Sequence, residues 1–141
     1  MSMTFLLDNN VVFELRKNRP HGAVVAWRRS VPLHQLAVPG VVIAEIQEGI
    51  EAARTQDPLK AKELENWLDS LMSYYTILPA DGSIYREWGR LMYGQSDHLA
   101  ADAMIAATAR VLRLTVVTRN VKDFEPFKVE VLNPFNHPRE S

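Results

Sequence analysis

The feature that most constrains the fold is the short apolar run Phe5-Leu6-Leu7 together with the acid that ends it, Asp8. The run lacks the polar alternation of a half-exposed strand, so it predicts a strand that is buried on both faces. Asp8 then lies at the carboxyl end of this strand, where a helix begins and where ligands bind in open α/β sheets. It is therefore either the N-cap of that helix or a metal ligand or general base. The stretch by itself favours the cap, whereas acids further along the chain favour the second interpretation.

Short strands alternate with helices along the rest of the chain. Further strands are expected at residues 35–38, 74–78, 115–118 and 129–132. Helices are expected at residues 11–15, 20–30, 41–54, 57–72 and 99–114, and one more helix is expected to be capped by Asp81. This alternation predicts an α/β fold with a mostly parallel sheet and helices on both faces. In detail, we expect Glu14 to face solvent, Asp97 to cap the helix that begins at Leu99, and residues 119–127 to form turns.

Length and composition describe one globular unit and exclude several chemistries. The 141 residues are expected to form a single domain, residues 1–141, with a polar tail from about His137. There is no cysteine, which excludes disulfides and thiolate metal sites. Neither a long apolar run nor a signal-peptide pattern occurs, so we expect a cytoplasmic protein without membrane contact. The net charge of −1 argues against broad electrostatic binding to nucleic acid, but not against an enzyme whose acids hold cations.

Two predicted helices carry acids at positions where chemistry is possible. Glu45 lies about one turn into the helix after the second strand, at the border of its apolar stripe. By itself, Glu45 is best interpreted as a surface acid near the positive end of the helix dipole. Asp102 shares a small apolar helix face with Ile105 and Ala106, which must pack closely on the sheet. Lone carboxylates are costly to bury, so Asp102 needs a cap, a cation or a metal as its partner. Because Asp97 is already expected to be the cap, a functional role for Asp102 is favoured.

Polar groups also follow the fourth strand, namely Thr118, Asn120 and Asp123. Ordinary turn chemistry accounts for each of them, since Asn and Asp are favoured in turns. If the fourth strand lies beside the first, however, these groups meet Asp8 at the edge of the sheet where the two helical acids also lie. Several carboxylates in one pocket repel each other, and their hard oxygen ligands suit Mg²⁺ or Mn²⁺. A pair of such ions activates water and stabilises the leaving oxygen in phosphodiester hydrolysis.

Four motifs in the chain are similar to those of one known family. They are Leu6-Leu7-Asp8-x-Asn10-Val11-Val12, Val41-x-x-Ala44-Glu45-Ile46-x-x-Gly49-Ile50, Asp102-Ala103-Met104-Ile105-Ala106-Ala107-Thr108-Ala109 and Thr118-Arg119-Asn120-Val121-Lys122-Asp123-Phe124. In this order the motifs resemble PIN-domain ribonucleases, in particular the VapC and FitB-like toxins of bacterial type II toxin–antitoxin systems. The resemblance spans almost the whole chain. It implies a three-layer α/β/α sandwich whose five-stranded parallel sheet has the order 3-2-1-4-5. It also implies Mg²⁺-dependent cleavage of RNA, often a tRNA.

The resemblance also assigns roles to site residues. Asp8, Glu45 and Asp102 match the three main acids of the family. Asp8 and Asp102 are therefore expected to bind the principal Mg²⁺, with Mn²⁺ as a substitute, and Glu45 to assist directly or through water. The place of the fourth acid falls either to Asn120 or to Asp123, and both alternatives stay open. Supporting roles are expected for three polar residues, Asn10, Thr118 and Asn120.

The chain departs from the family pattern in two places. The usual Asp-Thr-Asn reads Asp8-Asn9-Asn10 here, although Asn9 still offers a side-chain hydrogen bond. The uncertain fourth acid is the second departure, and its loss would weaken a second metal site without abolishing the first.

The resemblance further implies partners. These are an RNA substrate and a VapB-like antitoxin, encoded alongside, that inserts an arginine into the acidic pocket; DNA would be reached only indirectly through the antitoxin. A homodimer is also implied, and large apolar residues on the middle helices allow it: Trp67, Leu71, Tyr74 and Tyr75. Alternatively, these residues fill the core of the single chain.

Two alternative functions remain. A phospho-receiver module would need an aspartate at the end of the third strand, which ends at Leu78-Pro79 instead. A catalytically degenerate domain that only binds a partner is disfavoured by intact acids at three sites.

Overall fold

The central sheet of the computed structural model, which describes residues 3–139, consists of five short parallel strands. The strands are β1 (Phe5–Leu7), β2 (Leu36–Pro39), β3 (Thr76–Leu78), β4 (Thr115–Val117) and β5 (Val131–Leu132). The helices are α1 (Asn9–Arg16), α2 (Gly22–Ser30), α3 (Gly40–Arg54), α4 (Pro58–Tyr74), α5 (Gly82–Met92), α6 (Ala100–Leu112) and α7 (Val121–Phe124). Short 3-10 turns lie at Leu33–Gln35, Asp97–Leu99, Glu125–Phe127 and Pro134–Asn136.

The strands pair in the order β3-β2-β1-β4-β5, which confirms the expected order 3-2-1-4-5. Leu6 of β1 lies opposite Ala37 of β2 on one side and Val116 of β4 on the other. The chain adds β2 and β3 on one side of β1, and β4 and β5 on the other. Right-handed crossovers then place α1–α4 on one face and α5–α7 on the opposite face. The strand order therefore reverses between β1 and β4, which is where ligands bind in folds of this kind.

The core lies where the apolar strands meet the apolar stripes of the helices. Its largest fully buried side chains include Leu6, Leu7, Leu36, Val38, Ile46, Ile50, Ile84, Ile105, Phe124 and Phe127. The first strand is buried as its unbroken apolar run predicts, with Leu6 and Leu7 completely inaccessible to solvent. Among residues 3–139, no helix is long and apolar enough to cross a membrane.

Glu14 corrects one expectation, because it is buried rather than exposed to solvent. Its carboxylate accepts a hydrogen bond from the backbone N–H of His21 at 2.9 Å and forms an ion pair with Lys17 at 2.9 Å. Burial by itself would raise the pKa of Glu14, but these contacts outweigh it and lower the pKa. Glu14 therefore fastens the end of α1 to the start of α2, where His21 is the N-cap and accepts from Ala23 N–H.

The expected cap of α6 is also wrong. Asp97 begins a 3-10 turn, and α6 starts at Ala100 without a side-chain cap. Residues 119–127, expected to be turns, contain α7 and the 3-10 turn Glu125–Phe127 because Phe124 and Phe127 are buried in the core. The third strand is shorter than expected because α4 continues to Tyr74.

Candidate active site

Asp8 follows β1 and lies almost completely buried at the carboxyl edge of the sheet, with only 5% of the residue exposed. One carboxylate oxygen, Oδ1, accepts a hydrogen bond from Asn9 N–H at 2.8 Å and so caps α1. The other oxygen, Oδ2, accepts from the Asn10 side-chain amide at 3.1 Å and from the Thr118 hydroxyl at 2.8 Å. The capping interpretation is therefore correct. It does not exclude a role as metal ligand, because only Oδ1 caps the helix, whereas Oδ2 faces the polar groups that follow β4.

Thr118 is the centre of the hydrogen-bond network around Asp8. Its hydroxyl donates to Asp8 Oδ2 and accepts from Asn10 Nδ2 at 3.1 Å and from Asn120 N–H at 3.0 Å. A hydroxyl has one donor and two acceptor positions, so the Thr118 side chain is fully satisfied. The expected supporting residues Asn10 and Thr118 thus hold one orientation of the Asp8 carboxylate, while Asn120 contributes its backbone N–H.

The environment of Asp8 acts on its pKa in both directions. Burial is the largest influence and raises the pKa, and the charge of Asp123 raises it further. Hydrogen bonds from Thr118, from Asn9 N–H and from Asn10 lower it, because they stabilise the carboxylate. The net result is a raised pKa.

Glu45 lies on α3 and carries a buried oxygen, Oε1, that has no hydrogen-bond partner among residues 3–139. Its pKa is raised to about 7, first by burial and then by the charges of Asp8 and Asp102. The side-chain amide of Asn9 opposes part of this shift. Glu45 is therefore not an ordinary surface acid. Its position toward other carboxylates comes from the packing of α3 on the sheet, which the helical pattern alone did not reveal.

Asp102 lies in the first turn of α6, and its pKa is raised to about 6. Burial is the main cause, followed by the charges of Asp8 and Asp123, whereas His98 lowers the pKa. Within residues 3–139, neither Asp97 nor Asp102 makes a side-chain capping bond at the start of α6. The charges that act on Asp102 are mostly those of other acids.

Asp123 and Asn120 differ in their relation to these acids. Both are exposed, and Asn120 precedes α7 without a side-chain capping bond. The charge of Asp123 acts on both Asp8 and Asp102. Of the two candidates for the fourth acid, Asp123 therefore brings its charge to the site.

The structure thus brings Asp8, Glu45, Asp102 and Asp123 from four segments to one edge of the sheet. Their mutual repulsion and the unpartnered Oε1 fit a divalent cation, which binds hard carboxylate oxygens and compensates their charge. In residues 3–139 no three His, Cys, Asp or Glu side chains are already grouped closely enough to hold a metal ion. A cation would therefore have to draw the acids together, and the metal-binding roles stay predictions.

A cavity of about 540 Å³ adjoins Glu45 between α3, α5 and α6. Its walls are mainly apolar and include Ala44, Tyr85, Trp88, Ala101 and Met104. The Trp88 indole N–H donates a hydrogen bond of 3.0 Å to the carbonyl of Ala100, which also lines the cavity. The acids therefore lie beside an apolar groove that is open to solvent.

One contact near the site was not expected from the sequence, since Arg119 donates its backbone N–H to Asn10 Oδ1 at 3.0 Å. His98 is the histidine that the sequence places nearest the site, with a role disfavoured, and its charge acts on Asp102. Arg119 belongs to the motif that follows β4, and this position was the sequence signal that could have placed Arg119 near the site.

The PIN domain family model matches residues 5–127 of the chain. The chain belongs to the PIN-domain family. The fold expected from the resemblance is thereby confirmed together with the strand order. This PIN domain is 32% identical to Toxin FitB of Neisseria gonorrhoeae over 93% of its own length and 98% of the relative. It is 40% identical to Ribonuclease VapC14 of Mycobacterium tuberculosis, over 48% of this chain and 65% of that relative.

Solved structures agree with these relatives. The crystal structure of FitAcB from Neisseria gonorrhoeae matches with a TM-score of 0.80 and 31% identity, covering 94% of this chain and 99% of that one. A toxin–antitoxin complex from Klebsiella pneumoniae matches with a TM-score of 0.68 and 26% identity, covering 93% and 98% of the two chains. The expected likeness to VapC and FitB-like toxins is confirmed.

Proposed function

We propose that this PIN domain is an Mg²⁺-dependent endoribonuclease that acts as the toxin of a toxin–antitoxin pair. The observation that carries the proposal is the meeting of Asp8, Glu45 and Asp102, each with a raised pKa, around an unpartnered carboxylate oxygen. The names of the similar proteins, a ribonuclease and a toxin, support RNA as the substrate. Among RNAs, a tRNA or another structured RNA is the proposed target.

Each acid has a proposed role. Asp8 and Asp102 would hold the principal Mg²⁺, and Glu45 would assist directly or through water. Asp123 would be the fourth ligand, because its charge reaches Asp8 and Asp102 while the Asn120 side chain carries none. When bound, the divalent ion lowers the pKa of a water molecule and stabilises charge that develops on the phosphate.

The chain's own residues prepare this site. Thr118, Asn9 N–H and Asn10 hold the Asp8 carboxylate in one orientation and favour its charged form. Glu45, with a pKa raised to about 7, is partly protonated near neutrality, and a cation would displace that proton on binding.

We further propose an antitoxin that inserts an arginine among these acids. An arginine supplies a fixed positive charge and a planar fork that suits carboxylates, so it competes directly with the cation. The apolar cavity of about 540 Å³ beside Glu45 is suited to the partner's amphipathic segment. The toxin–antitoxin complex from Klebsiella pneumoniae supports a partner of this class. Contact with DNA would occur only through the antitoxin.

A homodimer remains part of the proposal, with fewer residues than expected. Leu71 is buried in the core of the single chain, so it is not available to a partner. Tyr74 is 55% exposed, and Trp67 and Tyr75 are half-buried around a cavity of about 320 Å³. Sedimentation at micromolar concentration should give a dimer, and a monomer would reject this part of the proposal.

The alternatives are a degenerate binding domain and a receiver-like module. β3 ends at Leu78 without an aspartate, which leaves the receiver-like module without its phosphorylated residue. A nuclease assay separates the proposed enzyme from both alternatives. The purified chain is stripped with EDTA and offered RNA with and without added Mg²⁺. Cleavage that appears only with Mg²⁺ supports the proposal, and no cleavage under either condition supports a binding domain.

A further inference from the structure

Arg119 lies at the rim of the acid cluster and has no role in the function proposed above. Its backbone N–H donates to Asn10 Oδ1 at 3.0 Å, and Asn10 Nδ2 donates in turn to Asp8 Oδ2 at 3.1 Å. The backbone of Arg119 is therefore fixed two hydrogen bonds away from the first acid. Its side chain is exposed to solvent beside that acid.

The Arg119 side chain is held over an aromatic ring. Its guanidinium carbon lies 4.6 Å from the centroid of Phe135. Within the described residues, Arg119 forms no ion pair with a carboxylate. A guanidinium that stacks on a ring keeps the N–H groups along its edge free for an anion. The charge is thus oriented by Phe135 but not neutralised.

Further donors continue the same surface beyond Phe135. The ring of His21 lies 5.2 Å from that of Phe135, and His21 Nε2 lies 3.1 Å from Arg139 Nη2. His21 Nδ1 accepts from Ala23 N–H at 3.2 Å, so a neutral His21 carries its proton on Nε2. In that tautomer Nε2–H and the Arg139 guanidinium are two neighbouring donors on one surface. A phosphate oxygen that approaches this surface from solvent would accept from both.

Charge explains why an RNA strand needs such a surface. The chain has a net charge of −1, and its candidate site adds several carboxylates where the substrate must dock. A polyanion is repelled there unless cations lie close by. Such cations lie on one surface, which we call the basic strip and which consists of Arg119, Phe135, His21 and Arg139. The basic strip begins beside the acids at Arg119 and extends away from them to Arg139.

We propose that the basic strip binds the phosphate backbone of the RNA on one side of the bond to be cut, with Arg119 on the phosphate nearest the acids. The inference rests on the proposed function only for the identity of that bond. Phosphate contacts position a strand without reading its bases. The strip therefore contributes equally to the binding of RNAs of different sequence.

The test measures RNA binding separately from cleavage. The full chain carrying Asp102→Asn, which blocks cleavage, is titrated with labelled single-stranded RNA of mixed sequence at salt concentrations between about 50 and 200 mM. Adding Arg119→Gln should weaken binding about tenfold. A plot of the logarithm of the binding constant against the logarithm of the salt concentration has a negative slope, and its magnitude should decrease by about 0.7, the value for one phosphate contact on a single strand. Arg119→Lys keeps the charge and should retain the slope.

Two further variants serve as a control and as a second test of the basic strip. Arg113→Gln makes the same substitution at an exposed arginine just before β4, at the opposite edge of the sheet, and should change neither affinity nor slope. Arg139→Gln tests the strip at its far end and should lower the slope independently. Thermal unfolding of each variant verifies that the fold is intact.

The outcomes are distinct. If Arg119→Gln and Arg139→Gln both bind RNA as Arg113→Gln does, the strip is not an RNA surface, whether or not the wild type cleaves RNA. If the wild type cleaves no RNA but the slopes fall as expected, the strip is correct and the proposed hydrolysis is wrong. If Arg119→Gln weakens only the capture of a co-expressed antitoxin, the strip binds protein and our proposal is overturned.

Discussion

The Thr118 hydroxyl donates a hydrogen bond of 2.8 Å to Asp8 Oδ2, across a separation of 110 residues in the chain. The contact exists because β4 pairs with β1 in parallel, with Leu7 opposite Val117, so the residues that follow the two strands meet. It joins the two central strands at the point where strand order reverses, and it fixes the acid on which the proposed site depends. Both groups are buried, which makes the bond costly to lose.

Replacing Thr118 with valine should therefore affect both stability and the site. Thr118→Val removes one of the two donors to Asp8 Oδ2, so that only the Asn10 amide remains, and it takes away the acceptor of Asn120 N–H. The variant should lower the free energy of unfolding by about 1–3 kcal/mol. Mn²⁺ affinity should fall about 10- to 100-fold, as for other residues that orient metal ligands. Urea unfolding and calorimetry measure the two effects.

Thr108→Val is the matched control for this substitution. Thr108 is also buried, but its hydroxyl donates only to the carbonyl of Met104 in its own helix, at 2.8 Å. It should leave Mn²⁺ affinity unchanged. Equal losses of affinity in the two variants would show that Thr118 acts only through general stability.

The raised pKa values predict how the stability of the metal-free protein depends on pH. The pKa of Glu45 is about 7 and that of Asp102 about 6, above their ordinary values of 4.5 and 3.8. The folded chain then binds these protons more tightly than the unfolded chain. Consequently, the free energy of unfolding should fall as the pH rises from about 4 to about 7, and this contribution should level off above that range.

Glu45→Gln isolates the contribution of one acid. This variant should keep only the part of the pH-dependent loss that Asp102 and Asp8 cause, and should be more stable than wild type at pH 8 by about 1 kcal/mol in EDTA. Glu63→Gln, at an exposed acid of α4, should follow the wild type throughout. Stability that instead increases across this pH range would contradict the assigned pKa directions.

The fourth ligand is decided by comparing Asp123→Ala with Asn120→Ala. Asp123 acts electrostatically on two other acids, whereas Asn120 supplies its backbone N–H to Thr118, which an alanine retains. Asp123→Ala should therefore weaken Mn²⁺ binding about tenfold and Asn120→Ala by less than about threefold. Calorimetry that gives the reverse order would place the Asn120 side chain on the metal.

The antitoxin proposal predicts a complex in which inhibition depends on arginine. Co-expression and pull-down should recover a small partner whose C-terminal segment covers the acids. Changing the arginines of that segment to alanine should weaken the complex and restore RNA cleavage, because the acids regain access to Mg²⁺. Full affinity and full inhibition after all these changes would reject the arginine mechanism while retaining the partnership.

Most of the fold could be predicted from the chain because its signals are local. The unbroken apolar run before Asp8 indicates a doubly buried strand, and Asp57-Pro58 marks the start of α4 by cap and proline. The predictions were wrong where tertiary contacts decide whether a residue is buried or a segment is helical. Glu14 is buried because His21 N–H and Lys17 compensate it, and α7 forms where Phe124 enters the core.

The candidate site was less accessible to sequence reasoning than the fold. Its acids could be named from four motifs, but their environments depend on packing between segments far apart in the chain. No local pattern indicates that Glu45 Oε1 lacks a partner or that Asn9 faces Glu45. The sequence also gives no local sign that Arg119 stacks on Phe135. These features require the register of β1 against β4 and the placement of the C-terminal segment.

If Asp8 belongs to a cation site at which RNA is hydrolysed, cleavage must depend on the Asp8 carboxylate and on Mg²⁺. Cleavage of RNA by Asp8→Asn is compared with that by wild type and Glu63→Gln, with Mg²⁺ present and after EDTA. Asp8→Asn should lower the cleavage rate by at least about 100-fold, Glu63→Gln should retain it, and EDTA should abolish it. Cleavage by Asp8→Asn at the wild-type rate in Mg²⁺ would show that Asp8 is not part of the site.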